Sequence, residues 1–199
     1  MTNWLITVKS KSFPVLEFWP RRSRVRKLAW GPEKRYDNTV GSRSKLDLAY
    51  IAGFLDGDGS LMLQIKKRHD GKTRTRFMVT ICFYQDNRHE EPLLWIKEVL
   101  GIGYVSRRND GMTELRINGY AQVRQILKEL LPYLRFKKKQ GQALFEAVKI
   151  LSNSKRATPL SRRQLESLVD LVLLIQQENY VTKRKKTRTE LLSSLGLTP

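Results

Sequence analysis

The stretch YIAGFLDGDGS at residues 50–60 decides the fold, because an apolar, helix-compatible run ends abruptly in two carboxylates. Gly53 and Gly57 lie four residues apart, and Ala49 extends the same line one turn earlier. Small residues at this spacing let two helix backbones approach closely. Asp56 and Asp58 fall at the C-terminal end of the helix, where the helix dipole favours a cation. The stretch therefore combines a surface for helix contact with carboxylates suited to metal binding.

Other interpretations of this stretch follow from the same residues. The apolar run is too short to span a bilayer, although its glycine spacing is typical of membrane helix pairs. The sequence DGDG resembles part of a calcium loop, but the spaced ligands and closing Glu of an EF-hand are missing. A helix C-cap that runs into a tight turn is a further interpretation. The spacing alone leaves the metal site and the C-cap both open.

Charge indicates the class of partner. The chain has 199 residues, with 38 Lys and Arg against 19 Asp and Glu, and a formal net charge of +19. Basic side chains that neutralise phosphates release counterions, so nucleic acid is the leading candidate. An anionic membrane surface is the second candidate, but the chain shows no long amphipathic basic helix and no lipidation signal. We therefore predict a nucleic-acid partner and no membrane partner.

The cysteine and histidine content limits the metal chemistry. Cys82 is the only cysteine, which excludes an intrachain disulfide and a cysteine-based zinc site. His69 and His89 are not at ligand spacing. A metal bound here should be a hard ion with oxygen ligands, such as Mg²⁺. No transmembrane or secretory segment is visible, so the expected compartment is intracellular or inside an organelle.

Composition divides the chain into three parts. Residues 1–45 are rich in Arg, Lys, Ser and Trp, and we predict a loosely structured basic leader outside the core. This leader is compatible with an organelle transit peptide or with read-through from an upstream coding segment. Residues 46–180 form the predicted main domain. Residues 181–199 form a basic tail with a possible short final helix.

Periodicity within the main domain predicts an α+β fold in the order helix, hairpin, helix, hairpin, helices. Residues 61–68 and 76–84 alternate apolar and polar side chains, and a turn at 69–72 separates them. A second hairpin runs from Tyr104 to Ile117 and turns at residues 109–111. The predicted helices are 46–56, 90–100, 120–131, 137–152 and 161–178.

One face of these hairpins is expected to be open and strongly basic. Antiparallel sheets are commonly covered on one face only. Charged and amide side chains on the uncovered face can bind base edges as well as phosphates. An ordinary solvated face is the alternative, but it does not explain why a single acid occurs among the basic residues. The predicted DNA-binding residues on this face are Gln64, Lys66, Arg68, Arg74, Arg76, Arg108, Glu114 and Arg116.

Residues 50–60 resemble the LAGLIDADG motif of homing endonucleases, in the single-motif, intron-encoded form that works as a homodimer. The likeness covers about Leu46 to Glu178, and includes the segments 61–68, 101–105 and 132–140 in matching order. Only one copy of the motif is present. The resemblance therefore implies a LAGLIDADG homing-endonuclease fold with a saddle-shaped antiparallel sheet. It also implies a homodimer in which Ala49, Gly53 and Gly57 form the contact between the two motif helices.

The resemblance also implies the roles of the site residues. Asp58 would be the metal ligand, and Gly57 would offer its backbone carbonyl to the same Mg²⁺ ion. Gln85 matches a polar residue that positions water, and Lys137 matches a lysine that stabilises charge, with Lys139 in support. Asp56 is expected to cap or orient the motif helix, with a metal role left open.

The sequence departs from the family at one pocket position. Close single-motif relatives carry an arginine shortly after the position of Gln85, where this chain reads Asp86-Asn87-Arg88-His89. Either Arg88 or His89 must substitute for that arginine, or its function is reduced.

The predicted function is a magnesium-dependent, site-specific double-strand DNA endonuclease with a long, pseudo-palindromic target. The family implies staggered cleavage, intron homing and an origin in a chloroplast or mitochondrion. Two alternatives use the same fold: an RNA-splicing maturase that binds intron RNA, and a DNA-binding regulator that no longer cleaves. The presence of Asp58, Gln85 and Lys137 argues against both, since neither role needs all three.

Overall fold

The computed structural model describes residues 43–67, 75–153, 159–179 and 184–197. The predicted leader up to residue 42 lies outside these ranges, as do Arg68 and Arg74. The described elements are the helices α1 (Lys45–Asp58), α2 (Glu91–Leu100), α3 (Tyr120–Leu130), α4 (Lys138–Asn153), α5 (Arg162–Glu178) and α6 (Arg188–Ser194), and the strands β1 (Gly59–Lys67), β2 (Thr75–Asp86), β3 (Tyr104–Arg107) and β4 (Met112–Asn118).

The four strands form one antiparallel sheet in the order β1-β2-β4-β3. Each hairpin pairs its own strands, and β2 pairs with β4 to join the two hairpins. Alternation along the strands sends Leu61, Val79, Phe83 and Leu115 to the covered face, where all four are buried. Residues of the opposite parity form the open face. The predicted α+β architecture and its two hairpins are thus confirmed.

The motif helix α1 lies against the covered face of the sheet. It begins after Ser44, whose hydroxyl accepts hydrogen bonds from the backbone N–H groups of Leu46 and Asp47. One side of α1 is buried in the core through Leu48, Ile51, Ala52 and Leu55. The helix then passes directly into β1, so its last residue, Asp58, is adjacent to the first strand residue, Gly59. A Cβ on Gly59 would lie 2.4 Å from the Leu55 side chain, which explains why glycine occupies this junction.

The C-terminal helices complete the core. Helix α4 packs against α3 and α5, and its buried residues include Ala143, Leu144 and Ala147. Helix α6 packs against α5 and buries Leu191 and Leu192. The predicted short final helix is therefore present, and its leucines belong to the main core although residues 181–199 were predicted as a tail. The three-part division of the chain itself stays a prediction. Within the described ranges, no helix combines the length and apolar character needed to cross a bilayer.

Candidate active site

The Asp56 side chain holds the loop between α3 and α4 through hydrogen bonds. Its carboxylate accepts hydrogen bonds from the backbone N–H groups of Arg135, Phe136 and Lys137, with N···O distances of 2.6, 3.2 and 2.9 Å. The side chain is almost wholly buried, at 9% exposure. A carboxylate at this position also favours the N-terminal end of α4, which starts at the next residue. Asp56 was predicted to cap or orient the motif helix. Its carboxylate caps a different helix, about 80 residues later in the chain, and these hydrogen bonds orient the end of the motif helix against the start of α4.

Asp58 differs from Asp56 in every one of these respects. It is exposed, and no hydrogen-bond donor within the described ranges binds its carboxylate. It is the last residue of α1, at the negative end of the helix dipole. A carboxylate at that end of a helix is stabilised by a nearby cation. Of the two acids of the motif, only Asp58 has oxygens free to bind an ion.

Lys137 lies beside these two acids. Its Nζ donates to the backbone carbonyl of Asp56 and lies 3.4 Å from the carbonyl oxygen of Gly57. Burial lowers the pKa of Lys137, and the nearby carboxylates of Asp56 and Asp58 act in the opposite direction. The structure thus brings together three predicted site residues, Asp58, Gly57 and Lys137, at the C-terminal end of α1.

Gln85 lines the same groove as Asp58 and Lys137. It is the penultimate residue of β2, and its side-chain oxygen accepts a hydrogen bond from the backbone N–H of Asp86 at 2.9 Å. The turn that follows spans Asn87–His89. Arg88 binds Asp86 there in a bidentate pair, with both N···O distances at 2.9 Å. This ion pair lowers the pKa of Asp86 and keeps the Arg88 guanidinium bound to that carboxylate. Of the two predicted substitutes for the family arginine, only His89 therefore lacks a hydrogen-bonded carboxylate within the described ranges.

The predicted dimer residues lie on the exposed side of α1. Ala49, Gly53 and Gly57 are all exposed, and a Cβ built on either glycine would meet nothing within 4 Å. Leu46 and Tyr50 flank them at 82% and 57% exposure. Helix α1 is therefore apolar or small on both sides, and within the described residues only one side is buried in the core. Within these ranges, packing does not require glycine at positions 53 and 57.

The open face of the sheet carries most of the predicted DNA-binding residues within the described ranges. Lys66 and Arg76 are exposed and lie directly opposite one another across β1 and β2. Gln64 is half-buried two residues before Lys66. Like charges opposite one another destabilise a sheet, so this arrangement is relieved by an anionic partner. Gln64 and Lys66 also line the groove that holds Asp58.

Glu114 has a different environment from the one predicted. It projects from the open face but is only 5% exposed. Its Oε1 lies 2.7 Å from Nε of Arg116, its Oε2 accepts from the same guanidinium at 2.9 Å, and Arg108 approaches to 3.8 Å. Because its oxygens are occupied, Glu114 orients these two arginines rather than offering a free acceptor. The same pairing raises the pKa of Arg116 above its usual value.

Lys139 is also engaged within the chain. Its Nζ lies 3.3 Å from a carboxylate oxygen of Glu178 at the end of α5, and the lysine side chain is largely exposed. Exposed pairs of this kind contribute little to stability and exchange readily with other anions. Lys139 lies two residues after Lys137, which keeps it near the site without contact to Asp58.

The residues at this site fit a hard divalent cation. Within the described ranges, no group of three or more His, Cys, Asp or Glu side chains lies close enough together to hold a metal ion. The oxygens that could bind an ion are the Asp58 carboxylate and the adjacent carbonyl of Gly57, which Lys137 contacts at 3.4 Å. Mg²⁺ usually takes one or two protein carboxylates and completes its shell with water and substrate phosphate. One chain therefore offers two of the oxygen ligands that such an ion would take.

Comparisons with known proteins agree with this geometry. The family model described as LAGLIDADG endonuclease matches residues 51–149, from α1 through α4. The DNA endonuclease I-CvuI of Chlorella vulgaris is 34% identical over 152 residues, which cover 76% of this chain and 93% of the relative. The chain belongs to the LAGLIDADG endonuclease family. A second member, the DNA endonuclease I-CreI of Chlamydomonas reinhardtii, is 27% identical over 72% of this chain and 84% of its own length.

Solved LAGLIDADG structures share the fold. I-CvuI in complex with the I-CreI target, in the presence of 2 mM Mg and with the DNA not cleaved, matches with a TM-score of 0.63 and 30% identity. That match covers 78% of this chain and 98% of I-CvuI. I-CvuI with its own target in the presence of 2 mM Ca gives a TM-score of 0.64. The archaeal intron-encoded endonuclease I-Vdi141I, bound to DNA, gives 0.65 at 24% identity and supports the fold alone.

Proposed function

We propose that this protein is a homodimeric, divalent-metal-dependent, site-specific homing endonuclease that cuts both strands of DNA. The observation that carries the proposal is the contrast between the two motif acids. Asp56 is buried and saturated with hydrogen bonds, whereas Asp58 is exposed, has no donor within the described ranges and lies beside Lys137. The relatives I-CvuI and I-CreI, both named DNA endonucleases, support the same activity.

The exposed side of α1 supports the dimer. Ala49, Gly53 and Gly57 offer a flat, small-residue surface with open space in front of it, and Leu46 and Tyr50 border it. Apolar surface of this kind gains about 25 cal/mol for each Å² removed from water. A two-fold pairing of α1 with its copy would place both Asp58 carboxylates near the symmetry axis, one for each DNA strand.

The chain's residues divide the chemistry of phosphodiester hydrolysis among them. Asp58 and the Gly57 carbonyl would hold Mg²⁺, which when bound polarises the phosphate and activates water. Lys137 presents a cation where negative charge develops on the phosphate oxygens. Gln85 offers amide and carbonyl groups at the strand end for orienting a water molecule. Closing the groove over DNA would exclude solvent and strengthen each of these interactions.

The open face of the sheet supports recognition of a long target. Lys66 on β1 and Arg76 on β2 supply phosphate or base contacts, and Arg108 and Arg116 supply guanidinium groups on the β3–β4 hairpin. Arginine binds guanine in bidentate fashion, and each such pair discriminates by about 1–3 kcal/mol. The proposal also assigns DNA contacts to Arg68, Arg74 and Lys139, as the sequence predicts. Because a two-fold protein reads a two-fold site, the target should be pseudo-palindromic. The proposal includes intron mobility and a chloroplast or mitochondrial location.

Cleavage of a DNA library of randomised palindromic sites tests this function. The library is incubated with the full chain in Mg²⁺ and separately in Ca²⁺, and both cut and bound fragments are sequenced. The proposal predicts cuts at one recurring long site in Mg²⁺, with Asp58→Asn binding the same site and not cutting it. Binding without cutting by the natural chain in Mg²⁺ would favour a regulator and contradict the nuclease. Neither binding nor cutting of any DNA would direct attention to splicing of the host intron RNA.

A further inference from the structure

A second polar cluster lies next to Gln85, outside the group formed by Asp58 and Lys137. Thr113 on β4 is completely buried, and its Oγ1 lies 2.7 Å from the side-chain oxygen of Asn87 and 2.8 Å from Oε2 of Glu90. Arg107 on β3 holds the same Glu90 in a bidentate pair, with Nε 2.9 Å from Oε2 and a terminal nitrogen bonded to Oε1. We define these four residues as the Thr113 cluster.

The Thr113 cluster connects every segment that meets at the end of β2. Thr113 is the residue directly opposite Gln85 in the pairing of β2 with β4. Asn87 lies in the turn that follows, and its backbone N–H donates to the carbonyl of Gly111 at 2.9 Å. Glu90 is the residue that precedes α2. The cluster therefore joins the strand end that carries Gln85 to the turn, to the start of α2 and to the β3–β4 hairpin.

Gln85 depends on this support for its placement. Among the described residues, its side chain makes a hydrogen bond only to the backbone N–H of the next residue, so the backbone at positions 85 and 86 determines where the amide lies. Strand ends are held by fewer ladder hydrogen bonds than strand centres, and they open more readily. The buried Thr113 hydroxyl donates its single proton to the Glu90 carboxylate and lies 2.7 Å from the Asn87 side chain, which holds such an end in one arrangement. Loss of its partners would leave buried polar groups unpaired.

We propose that Thr113, Asn87 and Glu90 are positioning residues for cleavage, which hold Gln85 at the catalytic groove through the backbone of β2 and its turn. This inference rests on the proposed nuclease function. The cluster touches neither Asp58 nor Lys137, and Thr113 is inaccessible to DNA because it is buried. Its loss should therefore slow the chemical step without weakening target binding.

Charge within the cluster is consistent with this role. Hydrogen bonds from Arg107 and Thr113 lower the pKa of Glu90 to about 2. The carboxylate is therefore ionised at neutral pH, where the pairing that joins β3 to the start of α2 is fully formed.

The test compares single-turnover cleavage in Mg²⁺ with binding in Ca²⁺, using the duplex recovered from the library selection. Thr113→Val removes the hydroxyl and keeps the side-chain shape, whereas Thr113→Ser keeps the hydroxyl. The matched control is Tyr120→Phe, which removes a hydrogen bond to the Phe77 carbonyl at 2.8 Å near the far end of β2. Thermal unfolding of each variant shows that it is folded under assay conditions. Arg107→Ala, on the exposed rim, supplies a second variant if Thr113→Val does not fold.

The expected result for Thr113→Val is a cleavage rate at saturating enzyme lower by about tenfold to about a hundredfold, with Kd within about twofold. Thr113→Ser should restore most of the rate, and Tyr120→Phe should cleave like the natural chain. A Thr113→Val variant that cleaves at the natural rate would overturn the inference while leaving the nuclease function intact. Equal slowing by Tyr120→Phe would also overturn it, since general destabilisation would then explain both. A natural chain that cuts no site would overturn the proposed function and this inference with it.

Discussion

Replacing Asp56 with Asn tests whether the first motif acid is structural. In the structure, one carboxylate oxygen accepts from the backbone N–H groups of Arg135 and Phe136, and the other accepts from that of Lys137. An asparagine keeps one acceptor, so its NH₂ group must face a backbone donor. Leaving that buried donor unpaired costs about 1–3 kcal/mol. Losing the negative charge at the start of α4 adds about 0.3–2 kcal/mol.

We therefore expect Asp56→Asn to lower the free energy of unfolding by about 2–4 kcal/mol. Urea denaturation followed by circular dichroism, at one fixed protein concentration, measures this loss as a lower midpoint with an unchanged slope. Cleavage should also fall, because the loop that presents Lys137 is no longer held. Asp58→Asn is the matched control, since it makes the same chemical change at an exposed carboxylate that binds no donor in the part of the chain that the structure describes. It should alter stability by less than about 0.5 kcal/mol.

The reasoning about Asp56 would be refuted by equal midpoints for Asp56→Asn and the natural chain. It would also be refuted by an Asp58→Asn variant that is destabilised as much as Asp56→Asn. Either result would mean that the three backbone hydrogen bonds do not distinguish the two acids.

Three further predictions concern the dimer, the open face and the pH response. Gly53→Leu should fold normally, because nothing among the described residues lies within 4 Å of an added Cβ. Sedimentation should nevertheless show a monomer. A dimer as stable as that of the natural chain would disprove the α1 interface. Glu114→Gln should release Arg116 from its ion pair and reduce base discrimination by about 1–3 kcal/mol at the base pairs that Arg116 contacts. Binding to single-base variants of the target measures this loss. An unchanged binding profile would contradict the orienting role of Glu114. Glu90→Gln should lose stability at pH 7, where the depressed pKa of Glu90 stabilises the fold. As pH falls from about 4.5 toward about 2 this advantage disappears, so urea midpoints of the two proteins should converge, and a constant gap would contradict the assignment.

Local patterns in the sequence predicted most of the fold. The alternation along β1 and β2 and the predicted second helix at 90–100 are short-range features, and the observed elements follow them closely. Gly101 has φ +63°, a left-handed conformation suited to a helix end. The pairing of β2 with β4 was not predicted, since it joins two hairpins across a helix and no local pattern encodes it.

The site was predicted in part, and its missing parts are long-range contacts. Asp58, Gly57, Gln85 and Lys137 do lie around one groove, as the resemblance implied. The role of Asp56 could not be predicted, because its three donors lie about 80 residues away. The sequence predicts Glu114 as one of several polar residues on an open face. Only the packing of its neighbours makes it a buried partner of Arg116.

The sequence contains even fewer features that predict the Thr113 cluster. A threonine in a strand is an ordinary choice, because β-branched residues favour strands. Its role depends on its contacts with Asn87, which lies in the turn after β2, and with Glu90, which precedes α2. The one feature that could have indicated the cluster is a polar residue directly opposite Gln85. Recognising it requires the register of β2 against β4.

The most direct test of the central claim is cleavage by a mixed dimer that carries one natural subunit and one Asp58→Asn subunit. The two subunits bear different affinity tags, the mixed dimer is purified through both, and a supercoiled plasmid with the recovered target is the substrate in Mg²⁺. If each Asp58 serves one strand, the natural dimer makes linear plasmid, the mixed dimer makes nicked circles, and the doubly substituted dimer leaves the plasmid supercoiled. Linear product from the doubly substituted dimer, or from the mixed dimer at the natural rate, would contradict the assignment of Asp58 as the metal-binding acid.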